Sequence, residues 1–269
     1  MLRFAFHAII NWPYHLANSG LPLFADCPRP MPLQTVEPQR LYRQIAEQLR
    51  VLIGKGEFEV GERLPAERDL ARQLGVSRPS VREALIALEM EAWVEVRTGS
   101  GVYVLDRSGI AGPAANESLA PAEWGPLELI RARRVVEGET AAIAATLAKR
   151  KDIDAMRKAT QAMTADADRG VMPLQGDRDF HSAIVQASGN AVLVETVQTF
   201  WDARRGPLFV RLGGHFETVR SWRAAIEEHR AILEAIRVHD AAAARAAMHT
   251  HMDKSHSRFS ASWRRTKRS

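Results

Sequence analysis

Cysteine is nearly absent from this 269-residue chain, Cys27 being its single example. One thiol closes no internal bridge, and a chain of this length buries enough core without one. A disulfide scaffold is therefore excluded, and a reducing compartment, the cytoplasm, is expected. Long apolar runs are missing too. Every apolar stretch meets Arg, Glu or His well short of the roughly 18 residues that a spanning helix needs, so no membrane partner is expected. There is no large excess of one charge. The net value is +5, and Arg264, Arg265, Lys267 and Arg268 at the C-terminal end supply four of those charges, leaving the remainder near +1. Overall charge thus says little about nucleic acid, and local arrangement has to decide. The chain also lacks GxSxG, HExxH and Walker-loop patterns, and Cys27 lies in a proline-interrupted leader, which leaves no activated nucleophile. What is present, 46% apolar and 26% charged residues, is the composition of a globular protein of one or two domains and excludes intrinsic disorder and collagen-like repeats.

Residues 1–35 pattern as an unstructured leader, because Pro13, Gly20, Pro22, Pro28 and Pro30 break every candidate element. A signal peptide fits poorly, since Arg3 and His7 interrupt its apolar region and no clean cleavage site follows. Met31 runs directly into the first periodic helix and is an alternative translation start. Residues 36–106 carry three helical patterns and a hairpin. Leu41, Ile45, Leu49 and Leu52 recur at helical spacing until Gly54 and Gly56. A second helix is predicted from Pro65 to Gly75, and a third is capped by Ser77 and runs through Val81, Leu85 and Leu88. In WVEVRTGSGVYVL, β-branched residues alternate on either side of Thr98, Gly99, Ser100 and Gly101. Residues 107–124 are rich in Ala, Gly, Pro and Ser and read as a linker. Six helical segments follow within 125–260, near 126–149, 151–169, 173–188, 190–204, 216–238 and 241–260, and 261–269 form a basic tail. The fold class is mostly α: a winged helix-turn-helix followed by an all-α bundle of six or seven helices.

A helix, a glycine-containing turn and a second helix are the parts of a helix-turn-helix, whose second helix enters the major groove by its N-terminal end. Arg78 and Arg82 are four apart on one face, while Val81, Ala84, Leu85 and Leu88 lie on another, so both arginines are expected to point outward. Arginine grips guanine bidentately, and Ser77, Ser80 and the helix N-terminal amides suit phosphate. Arg68 is placed for backbone contact, and Gly99 permits close approach of the wing. Residues 38–105 contain ten basic and ten acidic side chains, so a small helical lobe with surface arginines that binds protein, or nothing, stays open on spacing alone.

The string LPAERDLARQLGVSRPSVREALIALEMEAWVEVRTGSGVYVL closely resembles the N-terminal domain of GntR-family transcriptional regulators. The resemblance implies a winged helix-turn-helix that contacts a double-stranded DNA operator through Arg68, Ser77, Arg78, Ser80, Arg82, Thr98 and Gly99. Pro79 stands where many relatives carry threonine. A palindromic operator and a homodimer follow from placing two recognition helices one turn of DNA apart.

Farther along, DRDFH sets Asp177 and His181 four apart on one helix face, a two-ligand metal arrangement or a hydrogen-bonded pair. His229 falls on the stripe of Ile226, Ile232, Leu233 and Ile236, and His251 follows Ala244 and Met248 on the inward side of the last helix. Each histidine alone also fits a satisfied core position. Together with the aspartate they favour a divalent cation, zinc first, with nickel or manganese as alternatives. Residues 126–255 look like the FCD effector domain of the FadR-type branch of GntR regulators, in which an Asp, a His four later and two further histidines bind a metal. The resemblance also implies an arginine in LELIRARRVVEGETAAIAA that reaches the ligand pocket, Arg133 with Glu137 as partner, or the adjacent Arg134. Arginine opposite a cation suits a small carboxylate effector. TFWDARRGPLF is similar to uronate-responsive members, implying a hydroxylated sugar acid, with His215 either a hydroxyl contact or a solvated loop residue. The expected activity is ligand-controlled repression. A metal-dependent helical hydrolase and a protein-interaction adaptor are the alternatives. For the former, His239 and Asp240 offer only a dipeptide at a helix boundary, with Asp240 as the cap of AAAARAAM.

Overall fold

The computed structural model describes residues 40–97, 99–107 and 124–260. The expected leader, most of the linker, the basic tail and Thr98 lie outside the described residues. Helix α1 (Leu41–Gly54) turns Tyr42, Ile45, Ala46 and Leu49 inward, one apolar stripe at helical spacing. Helix α2 (Glu67–Leu74) begins later than the sequence suggests, because Ala66 is the N-cap and Pro65 stands outside the helix. Its end matches expectation, with Gly75 at φ +65°, a left-handed position that disfavours a Cβ. Helix α3 (Arg78–Met90) starts on Ser77, whose Oγ accepts from the Ser80 amide at 3.2 Å. Strands β1 (Val94–Arg97) and β2 (Gly101–Val104) pair antiparallel, with Val94 opposite Val104 and Val96 opposite Val102, all four buried.

Seven helices make up the second lobe among the described residues. They are α4 (Pro126–Leu147), α5 (Arg150–Asp168), α6 (Leu174–Ala187), α7 (Ala191–Ala203), α8 (Pro207–Phe216), α9 (Val219–Arg237) and α10 (Ala241–Ser260). Six correspond to the expected segments. The additional helix, α8, contains Gly213 and Gly214, which read as a break in the sequence. It forms because Pro207 supplies a suitable first position and because Leu208, Phe209 and Leu212 bury one face, which outweighs weak intrinsic propensity. Asp240 caps α10 as expected, its Oδ1 accepting from the Ala243 amide at 2.9 Å.

The two lobes share hydrophobic core. Leu85 and Leu88 of the winged lobe belong to the same buried cluster as Leu127 and Ile130 of α4, Leu208 and Leu212 of α8, and Phe259 of α10. A second cluster fills the bundle around Met156, Met163, Phe180, Ile232 and Met248. Helix α10 packs along α4 and α9, the arrangement that brings the polar residues of all three together.

Candidate metal centre and nucleic-acid interface

Helix α6 places Asp177 and His181 one turn apart, α9 delivers His229 and α10 delivers His251. All four are buried, with one potential ligand atom from each lying within 4.8 Å of the others. His229 Nε2 stands 3.0 Å from Asp177 Oδ1 and 3.2 Å from His181 Nε2, and His181 Nε2 is 3.5 Å from the same oxygen. Ligand atoms each about 2.1 Å from one cation sit about 3.0–3.4 Å apart, so the spacing fits. Among the described residues, Asp177 Oδ1 has imidazole nitrogens close by but no well-aligned hydrogen bond. Buried polar atoms in that condition are rare without a ligand.

Outer groups orient the inner ones. Glu137 on α4 lies against His181 Nδ1 and accepts from Arg133 Nε at 2.6 Å. Glu228 accepts from His251 Nδ1 at 2.8 Å and from Arg258 at 3.0 and 3.2 Å. Arg204 donates to Asp177 Oδ2 at 2.6 Å. Carboxylates on the far nitrogens of His181 and His251 leave each Nε2 directed at the shared centre. The charge states agree with this arrangement except at His181, where burial is outweighed by Glu137 and Asp177 and the imidazole is held above its ordinary range, so a cation there displaces a proton. Burial alone would push the Asp177 carboxyl up, but Arg204 and the two imidazoles outweigh it and hold the group well below the usual carboxylate range. Glu137 is held down to about 2, its burial outweighed by Arg133 and His181. Burial, reinforced by His229, depresses His251 to about 3, and burial also lowers His229, so both are neutral imidazoles, the form that binds metal.

Of the three expected effector contacts, one lies at the cluster. Arg133 is buried, with its guanidinium 4.5 Å from the Trp201 ring centroid. Arg134 points away and pairs with Asp253 at 2.7 Å on the exposed side of α10. His215 is not a loop residue. It sits in α8 and shares a hydrogen bond with Glu89 of α3 at 2.8 Å, because the helical lobe packs on the winged one. The space directly over the cluster is bounded by Arg133, Arg204, Glu217, Trp222 and Arg258 and measures about 20 Å³, room for about one water. A cleft of about 480 Å³ adjoins it and shares Arg204 and Glu217. Sequence reasoning missed Arg204, Glu217, Glu228 and Arg258, and only the charge of TFWDARRGPLF hinted at the first.

In the winged lobe, Arg63, Arg68, Arg78 and Gly99 line one cleft of about 440 Å³ between the start of α2 and the wing. The Arg68 side chain is well exposed, that of Arg78 is half exposed and 3.6 Å from Glu67, and Ser77 and Ser80 bring their hydroxyls within 2.9 Å of each other. Gly99 has φ +83°. The expectation that Arg82 points outward is corrected, since it is 1% exposed. Helix α3 is buried continuously from Val81 to Leu88, because the face opposite the winged core is covered by the helical lobe.

A winged helix-turn-helix with a basic cleft, fused to a helical lobe built around a buried polar centre, defines a DNA-binding transcriptional regulator. Residues 41–104 match the family described as bacterial regulatory proteins, gntR family, and residues 128–254 match the FCD domain. The chain is 38% identical to the Uxu operon transcriptional regulator of Escherichia coli K12, over 80% of this chain and 85% of that protein. It is 36% identical to the Exu regulon transcriptional regulator of the same organism, over 82% and 85%. Identity to the Uxu operon regulator of Haemophilus influenzae is 34%, over 80% of each chain. The chain belongs to the gntR family, with an FCD domain, and is a regulator of transcription rather than an enzyme. No described helix is long and apolar enough to cross a membrane.

Proposed function

We propose that this protein is a homodimeric repressor whose affinity for a palindromic duplex is set by a small carboxylate effector seated on a divalent cation. The observation that carries this reading is the convergence of four buried ligand atoms, from Asp177, His181, His229 and His251, beside the guanidinium groups of Arg133, Arg204 and Arg258. Three imidazoles and one carboxylate suit zinc first, with nickel or manganese as alternatives. A cation held there offers an open position to a carboxylate oxygen, while the arginines take a second oxygen. The sequence relationship to Uxu and Exu regulators supports a hydroxylated sugar acid of the uronate type. Arg68, Ser77, Arg78, Ser80 and Gly99 share the exposed end of the winged lobe and are assigned to phosphates and base edges, as are Thr98 and, once freed, Arg82. A coupling of about 1–3 kcal/mol between the two sites suffices for control.

Thermal melting of the purified protein with a panel of hexuronic acids and simple carboxylates, with and without chelator, tests the effector half. A rise in melting temperature for one acid, abolished by chelator and by His181→Ala, is expected. Equal shifts in chelated and unchelated protein would remove the cation from the effector site.

A further inference from the structure

Arg82 lies one turn beyond the exposed Ser77, Arg78 and Ser80, yet its side chain is withheld from solvent. Its Nε and Nη2 each donate to a different carboxylate oxygen of Glu67, both at 2.7 Å, a contact made within the winged lobe. The helical lobe supplies two more groups. The backbone carbonyl of Phe259 accepts from Nη1 at 2.6 Å, and the Phe216 ring centroid lies 5.0 Å from the guanidinium carbon. Phe259 stands near the C-terminal end of α10 as described, the end whose carbonyls carry the negative pole of the helix dipole. A cation is a favourable partner for such a group.

The preceding residue faces the other way. Arg258 grips Glu228, which holds the metal-facing His251, and Arg258 also bounds the small space over the cluster. The last turn of α10 therefore has one side chain in the wall of the cation pocket and its next carbonyl on the arginine of α3. At about 20 Å³ that space admits about one water, so a sugar acid on the cluster either extends into the adjoining cleft of about 480 Å³ or displaces the wall that Arg258 forms. Other contacts hold α3 independently: Glu83 accepts from the Leu127 amide at 2.7 Å, and Glu89 pairs with Arg211 at 2.9 Å. Releasing Arg82 thus requires no separation of the lobes.

We propose that the last turn of α10 is an intramolecular clasp that competes with DNA for Arg82, and that occupancy of the cation pocket sets the clasp through Arg258. The inference rests on the reading of Arg82 as an operator contact. The test uses the full chain and a duplex that the wild-type protein selects from a random-sequence pool. Phe259→Ala removes the edge contact with Phe209, whose ring centroid is 5.4 Å away, and loosens the turn. Affinity for the selected duplex is expected to rise about three- to tenfold, the gain when an arginine clasped about 70–90% of the time is freed. The gain should vanish in a background carrying Glu67→Gln with Arg82→Gln. Unchanged affinity in Phe259→Ala overturns the clasp, whereas unweakened binding by the Gln–Gln protein overturns the operator contact itself. A second measurement needs no variant to fold. The Arg82 Nε–H resonance of the free wild-type protein should exchange with water at least about tenfold more slowly than those of Arg68 and Arg78, and faster once the duplex is added. Equal exchange rates in the free protein overturn the clasp.

Discussion

Two buried polar clusters lie at opposite ends of the last two turns of α10, and they are built differently. At Arg82 each described nitrogen of the guanidinium has an acceptor, Glu67 or the Phe259 carbonyl, so charge and hydrogen bonds close on themselves. At the histidine cluster the atoms converge on a point, and among the described residues Asp177 Oδ1 lacks a well-aligned hydrogen bond. A closed cluster is a finished contact, which another partner wins only by competition. An open one is incomplete without a further group, because uncompensated burial of polar atoms costs about 1–3 kcal/mol each.

The largest effect is expected from removing what would complete the open cluster. Stripping the cation with a chelator should lower stability by about 4 kcal/mol if binding is saturated a thousandfold. Calorimetry on stripped and reloaded protein checks this, and His229→Ala should behave like the stripped protein in both conditions. At the closed cluster, Arg82→Ala leaves Glu67 buried with only the longer pair to Arg78 at 3.6 Å and should cost about 3 kcal/mol, whereas replacing both partners by apolar residues of similar volume should be nearly neutral. Urea titration of the single and double variants separates the two outcomes.

A buried carboxylate at the junction of the lobes sharpens the contrast. Burial pushes Glu83 up to about 7, against the opposing hydrogen bond from the Leu127 amide. The unfolded chain releases that proton near 4.5, so the folded state binds it more tightly. Stability from this group is full below about 4.5 and falls by about 3 kcal/mol as pH rises to 7. Glu83→Gln keeps an acceptor for Leu127 and should remove this pH dependence, which melts at pH 5 and pH 8 would show. The smallest effect belongs to Arg134→Ala. Its pair with Asp253 is exposed, so the cost should stay below about 1 kcal/mol, with effector binding unchanged, whereas Arg133→Ala should abolish it.

Much of this was legible in the chain. Ser77, Gly75 and the alternating valines fix the winged lobe by local rules, and helical spacing turns His229 and His251 inward, but joining them with Asp177 and His181 into one site took the resemblance to the FCD domain. What escaped depends on tertiary neighbours. Glu137 and Glu228 look like any helical glutamates until α4, α9 and α10 are brought together. Arg82 occupies the polar side of an amphipathic helix, and nothing local announces that a second lobe covers it. The pair Gly213 and Gly214 hid α8, whose stability comes from the three apolar residues it buries rather than from propensity.

Elemental analysis decides whether the open cluster holds a cation. Protein purified without chelator and dialysed against trace zinc, nickel and manganese should retain one divalent ion per chain, and His229→Ala should retain almost none. Wild-type protein that holds no ion, or a variant that holds as much as the wild type, would contradict the assignment of Asp177, His181, His229 and His251.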